Sequence, residues 1–232
     1  MANGLLITGT DTECGKTEVT LGLMHALQGR GLRVLGMKPV ASGALPTPRG
    51  LRNEDALRIQ AQGSTPLPYR QVNPYAFEPP VAPHLAAAEA GVEIAFDPIR
   101  EGVRGLARQA DLVLVEGVGG WRVPLGPDGD LCDLARTLEL PVILVVGMRL
   151  GCINHALLSV ESIVASGLPL AGWVANRVDP GMRVAEGNLR TLRQGIPAPL
   201  LGEVPRLARP TPEGVATALD PTPLGALLPI GD

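Results

Sequence analysis

The stretch Gly9-Thr10-Asp11-Thr12-Glu13-Cys14-Gly15-Lys16-Thr17 decides how the chain is read. Ahead of it runs Leu5-Leu6-Ile7-Thr8, a short apolar segment ending in a β-branched residue. Behind it, Glu18 to Arg30 places Val19, Leu23, Ala26 and Leu27 on one helical face. A buried strand therefore feeds a glycine-bearing loop, and the loop feeds a helix, which is the context of a phosphate-binding loop. Gly15 lets the backbone approach a polyphosphate, and successive N–H groups can converge on it. The helix N-terminus adds a partial positive charge, and Lys16 a full one. The Thr17 hydroxyl suits a magnesium ion shared with the phosphates. The usual motif has four residues between its glycines, whereas five separate Gly9 from Gly15. A nucleoside triphosphate is still the favoured ligand.

The 232 residues suffice for one domain with a sizeable core. Lys and Arg number 20 against 23 Asp and Glu, and no basic stripe with interleaved aromatics points to nucleic acid. No apolar run reaches membrane-spanning length, and no charged-then-apolar leader opens the chain, so a cytoplasmic location is expected. Cys14, Cys132 and Cys152 are too few and too scattered for a disulfide framework or a CxxC site. Cys14 reads as a small space-filling residue of the loop.

Strand-like and helix-like stretches alternate along the chain. Strands are expected at 5–8, 33–38, 112–115, 142–146, 170–175 and 200–204. Helices are expected at 18–30, 53–62, 82–90, 99–109, 131–138, 153–166 and 184–194, with Asn53 and Asp97 as N-caps and Pro98 at the first helical position. The proline-rich stretch 63–83 holds Tyr69, Tyr75 and Phe77 and is expected to be irregular but packed. Residues 40–52 and 117–129 read as loops, and the tail after Pro205 carries weak order signals. The pattern implies an α/β fold: a P-loop NTPase-like, doubly wound, mostly parallel sheet with helices on both faces. The whole of 1–232 reads as one domain.

Lys38, Glu116, the loop after Gly147 and Asn176 all follow strand ends, where ligands bind in such sheets. Glu116 ends the run Leu112 to Val115, the place of a magnesium-holding acid. Gly117, Gly119 and Gly120 after it suggest close backbone approach to a ligand. Lys38, fixed by Pro39, offers a second cation for charge that builds during reaction. Asp55 reads either as a third magnesium-side group or as a first-turn helix acid. Asn176 offers a donor and an acceptor to a base edge. Asn176-Arg177-Val178-Asp179 also resembles a guanine-reading motif, or a simple turn at Asp179-Pro180.

With these motifs in place, the sequence resembles the dethiobiotin synthetase family along nearly its whole length. The resemblance rests on Thr8 to Thr17, Lys38-Pro39-Val40-Ala41-Ser42-Gly43, Gly50-Leu51-Arg52-Asn53 with Asp55, and Val72-Asn73-Pro74-Tyr75. It continues through Val115-Glu116-Gly117, Gly119-Gly120-Trp121, Gly151-Cys152-Ile153-Asn154-His155, Gly172-Trp173-Val174-Ala175-Asn176 and Pro197 to Gly202. It implies an ATP-dependent ligase that joins diaminopelargonic acid and carbon dioxide, or bicarbonate, into a cyclic urea.

It also implies a homodimer whose site is shared between subunits. Lys16 and Lys38 would be catalytic, and Thr17, Asp55 and Glu116 would hold magnesium. ATP would meet Glu13, Cys14, Gly15, Lys16, Thr17 and Glu18 of the loop, then Asp55, and Glu116, Gly117, Val118 and Gly119. It would further meet Asn176 and Arg177, Pro205, Arg206 and Leu207, and Glu213. Thr12 and Ser42 would face the substrate, with Arg149, Leu150, Gly151, Cys152 and Asn154 reaching its carboxylate from the partner subunit. Three positions depart from the family pattern: Arg149 for a lysine, Arg177 for an acid and Arg206 for a tryptophan. Two other readings remain: a nucleotide-dependent dimeric switch of the partitioning or metal-chaperone type, and a silent nucleotide-binding paralogue. A switch accounts for the phosphate loop but not for Lys38 to Gly43 or Gly151 to His155.

Overall fold

The apolar runs become strands buried along their length: β1 Gly4–Gly9, β2 Val34–Met37, β3 Leu112–Glu116 and β4 Val142–Gly147. With β5 Leu170–Asn176 and β6 Leu200–Val204 they form one sheet of six strands, ordered β6-β5-β4-β1-β3-β2. All of its pairings are parallel. A parallel sheet covered on both faces leaves no side for polar residues, hence the continuous apolar runs. The computed structural model describes residues 3–227. Residues 1–2 and 228–232, included in the single-domain reading, lie outside the described residues.

The helices are α1 Lys16–Gln28, α2 Glu54–Gln62, α3 Tyr69–Val72, α4 Pro83–Glu89 and α5 Phe96–Ala107. They continue with α6 Leu131–Leu138, α7 Cys152–Ala165, α8 Ala185–Gly195 and α9 Pro212–Ala216. From β1 the chain steps outward to β2 at the sheet edge, then returns across the sheet through β3, β4, β5 and β6. Right-handed crossovers therefore send α1 to one face and α5 to α8 to the other.

Strand register does the rest of the positioning. Met37 pairs with Val115, so the next residues, Lys38 and Glu116, lie side by side at the carboxyl edge of the sheet. Ile7 pairs with Glu116, which brings the start of the phosphate loop to the same edge. Gly147 pairs with Asn176 on the other side of β1.

Several expectations change. Asp97 is not an N-cap: α5 begins at Phe96, whose N–H donates to Asp128 Oδ2 at 2.8 Å. Pro98 falls third in the helix, still within the turn whose N–H groups have no intrahelical acceptor. The stretches read as loops contain two antiparallel hairpins, Leu45–Thr47 with Gly50–Arg52 and Pro124–Gly126 with Gly129–Asp130. Strands this short carry too little alternation to be read from sequence. Within 63–83, α3 forms, Val72 and Phe77 are buried, and Tyr75–Ala76 pairs with Val40–Ala41. As far as residue 227 the tail is built rather than loose: α9 packs on α1, Val215 and Leu224 are buried, and Gly202 bridges to Leu219. A Cβ at Gly22 would lie 2.5 Å from Val215, so α1 is notched to receive the tail.

Candidate active site

At the carboxyl end of β1 the phosphate loop turns through two left-handed residues, Glu13 (φ 58°) and Gly15 (φ 84°). A side chain at Gly15 would meet Asn176 Nδ2 at 1.9 Å, so both conformation and space demand glycine there. The extra loop residue has a use: the Cys14 side chain folds back over the strand end, where a Cβ at Gly9 would lie 2.3 Å from its sulfur. Cys14 is fully buried and fills space, as expected. Asn176 Nδ2 donates to the Cys14 carbonyl at 2.9 Å, so this asparagine ties the loop to β5.

Beside the loop lies a buried polar cluster. Glu116 is 0% exposed, and its Oε1 accepts from Thr17 Oγ1 at 2.8 Å and from Lys38 Nζ at 2.6 Å. Asp55 Oδ2 is 3.2 Å from the same ammonium. Burial alone would lower the Lys38 pKa, but the Glu116 and Asp55 carboxylates outweigh it and hold the value above that of an ordinary lysine. Lys38 is therefore charged at neutral pH.

The segment 69–73 holds Lys38 in place. Lys38 N–H donates to the Val72 carbonyl, and its carbonyl accepts from Asn73 Nδ2 at 2.6 Å. Tyr69 hydroxyl donates to Asn73 Oδ1 and accepts from Asn53 N–H, both at 2.8 Å. Asn53 in turn caps α2, which carries Asp55, by accepting from Ala56 N–H.

The loop, Lys38, Ser42 and Asp55 line a cleft of about 660 Å³, with Thr12, Glu13, Gly15, Lys16, Thr17, Glu18, Val118 and Gly119 among its walls. Sequence reading missed Asn53, the run Pro80 to Pro83, and Val123, which also line it. The double proline Pro79-Pro80 was the available signal for a stiff wall. Gly117 answers to packing, since a Cβ there would lie 2.6 Å from Leu131, while left-handed Gly119 reaches the cleft.

An adjoining recess of about 310 Å³ shares Glu13, Gly15 and Glu18 and adds Asn176, Arg177, Pro205, Arg206 and Leu207. Glu18 is held by Arg58 through two bonds of 2.6 and 2.7 Å. Arg177 is engaged by Glu186 and Glu203, and Arg206 donates to the Val178 carbonyl at 2.5 Å. Asp179 accepts from Gly181 N–H at 2.8 Å and is not a wall of this recess, so the guanine-like spacing is a turn. Glu213 stands apart from both spaces, in the first turn of α9 near His25.

The second substrate group is not assembled in this chain. Leu150 is 94% exposed, Gly151 and Asn154 are exposed, Cys152 is buried, and none lines the cleft. Arg149 turns back instead and pairs with Asp11 at 2.5 Å.

A magnesium ion fits this donor set. Glu116 Oε2 is buried with no hydrogen-bond partner, and Thr17 and Asp55 add oxygens at the same edge. No group of three or more His, Cys, Asp or Glu among the described residues could hold a metal. The ion would thus need phosphate oxygens to complete its shell, as magnesium commonly does.

Comparison with known proteins adds the following. The family model described as an AAA domain matches residues 3–213. The ATP-dependent dethiobiotin synthetase BioD of Pseudomonas aeruginosa is 60% identical over 220 residues, covering 94% of this chain and 96% of that one. The enzyme of the same name from Cellvibrio japonicus is 56% identical over 218 residues, with 94% and 96% covered. Among solved structures, the MinC:MinD cell division protein complex of Aquifex aeolicus aligns with a TM-score of 0.56 at 16% identity, over 99% of this chain and 98% of that one. At that identity the likeness speaks to the fold.

Proposed function

The chain belongs to the dethiobiotin synthetase family, and from that premise we propose how its residues divide the reaction. The enzyme is an ATP-dependent cyclo-ligase of biotin biosynthesis. One amine of diaminopelargonic acid takes up carbon dioxide as a carbamate. A carbamate oxygen attacks the terminal phosphorus of ATP and expels ADP. The second amine then attacks the carbonyl carbon of the mixed anhydride, releases phosphate and closes the urea.

The observation that carries this division is the Lys38 ammonium, buried between Glu116 and Asp55 at the edge of the phosphate loop. A nucleotide switch accounts for Lys16 and the phosphate loop but not for the run Lys38 to Gly43, whose Lys38 and Ser42 line the same cleft. Here negative charge spreads between the carbamate and the transferring phosphoryl group, and a preorganised ammonium stabilises that distribution more than the ground state. Lys16 Nζ donates to the Asp11 carbonyl at 3.0 Å, a bond that phosphate oxygens would replace. Thr17, Asp55 and Glu116 would hold magnesium, which when bound neutralises phosphate charge.

The Ser42 hydroxyl is buried without a hydrogen-bond partner and keeps its capacity for the substrate. Thr12 lines the same wall, and Pro80 to Pro83, Val118 and Val123 give the aliphatic chain an apolar surface. The recess at Asn176 suits the adenine. Leu150, Gly151 and Asn154, exposed at the start of α7, with the backbone N–H of buried Cys152 between them, would serve the carboxylate in the partner's cleft of a homodimer. The whole of 1–232 acts as one ligase domain in this reading, its tail included. No helix among the described residues is long and apolar enough to cross a membrane, and a cytoplasmic location belongs to the same proposal.

The test is an ATP hydrolysis assay with and without the vicinal diamine and bicarbonate. One cyclic urea per ATP is expected. Hydrolysis indifferent to the diamine would return the chain to the switch class.

A further inference from the structure

The loop after β4 divides at Arg149. Up to that residue it is bonded to the phosphate loop of its own subunit. Gly147 N–H donates to Thr10 Oγ1 at 3.3 Å, and a Cβ at Gly147 would meet the Cys14 Cβ at 2.9 Å. Met148 N–H donates to the Asn176 carbonyl at 2.7 Å, and the Asn176 amide donates to Cys14. Arg149 Nη2 donates to Asp11 Oδ2 at 2.5 Å. Beyond Arg149 the chain turns away, and Leu150 is nearly fully exposed.

Asp11 makes this pairing more than a surface contact. Its other carboxylate oxygen accepts from Thr12 N–H at 2.7 Å and its carbonyl accepts from Lys16 Nζ at 3.0 Å. An unpaired carboxylate in a loop that receives a polyphosphate repels the ligand it helps to bind. A guanidinium on that carboxylate offsets the repulsion and leaves Asp11 free to shape the turn.

We infer that Arg149 acts in cis: paired with Asp11, it is a positioning residue of its own subunit's nucleotide loop and not a ligand of the partner's substrate. Asp11 is the second positioning residue of this device. Only the contrast with Leu150 to Asn154 rests on the shared-site reading above.

Two measurements test it on the full-length protein. The first is ATP affinity with the diamine absent. Arg149→Ala, which leaves the Asp11 carboxylate unpaired, should weaken ATP binding about 10-fold, and Asp11→Asn, which removes the repelling charge together with the pair, should weaken it less. The double variant should be no worse than either, and Arg149→Lys should recover most of the loss. Unchanged ATP affinity in Arg149→Ala, with KM for the diamine raised instead, overturns the inference.

The second uses heterodimers isolated with two different affinity tags. Lys38→Ala paired with Asn154→Ala is the control and should regain activity at one site. Lys38→Ala paired with Arg149→Ala should stay at the parental level, because the subunit with an intact Lys38 lacks its own Arg149. Recovery in that second pair places Arg149 in trans and overturns the inference. If the control pair itself fails to recover, the shared-site reading falls, and the ATP affinities still decide the role of Arg149.

Discussion

Lys38 and Asn154 are both polar residues near the start of the reaction path, yet the chain treats them in opposite ways. Lys38 is 5% exposed, tied by its backbone to the segment 69–73 and by its ammonium to two carboxylates. Asn154 stands on the first turn of α7 beside a fully presented Leu150, with no side-chain hydrogen bond among the described residues. A buried ammonium without partners would be strongly destabilising, so every group around Lys38 has to be in place before any ligand arrives. An exposed amide carries no such demand and can wait for a second chain. The charge-handling half of the site is finished within one subunit. The half proposed for the substrate carboxylate is presented outward.

The largest expected effect breaks the finished half. Lys38→Ala should cut kcat by about 10²–10³-fold. It also leaves Glu116 buried without its ammonium, so thermal stability should fall at low magnesium and be restored by added magnesium while kcat is not. A melting scan with and without the ion, beside steady-state rates, checks this. Normal kcat would remove Lys38 from the chemistry.

Glu116→Gln and Thr17→Val come next. Both should lose about 10²-fold in magnesium-dependent turnover with the fold retained, read by rates across a magnesium titration and by circular dichroism. Unimpaired turnover would take them out of the ion's shell.

Asn154→Ala sharpens the contrast from the other side. KM for the diamine should rise about 10-fold, with ATP affinity and melting temperature unchanged. A change in ATP affinity would mean that the outward half is not separate.

A smaller effect is expected of Val215→Ala, in the tail that belongs to the finished half. Losing this buried side chain against α1 should cost about 1–3 kcal/mol of stability, seen in denaturant unfolding, and leave KM for the diamine untouched. Smallest of all, Asp179→Asn should not alter the preference for ATP over GTP in a competition assay, because its carboxylate closes a turn. A swing in that preference would restore it as a base-reading residue.

The position of each candidate along the chain was legible, and their partners were not. Lys38 and Glu116 each end an apolar strand, which is a local pattern. That they touch follows from the register of β2 on β3 across 78 residues of sequence. Arg177 looks like a base contact by its place after Asn176, until Glu186 and Glu203 are folded around it. The tail lacks periodicity because α9 spans only Pro212–Ala216, and its order comes from the notch at Gly22.

The phosphate loop, the strand-and-helix alternation, the parallel sheet and the family were all legible before the fold was known. Each of these is written in consecutive residues: a glycine before Lys16-Thr17, an unbroken apolar run, a helix after a turn. Only the folded chain shows that Glu116 joins Thr17 and Lys38, that Asp11 belongs with Arg149, and that Leu150, Gly151 and Asn154 face outward. Those are contacts between residues far apart in the chain. They exist only once burial of the strands has fixed the register, which no local pattern encodes.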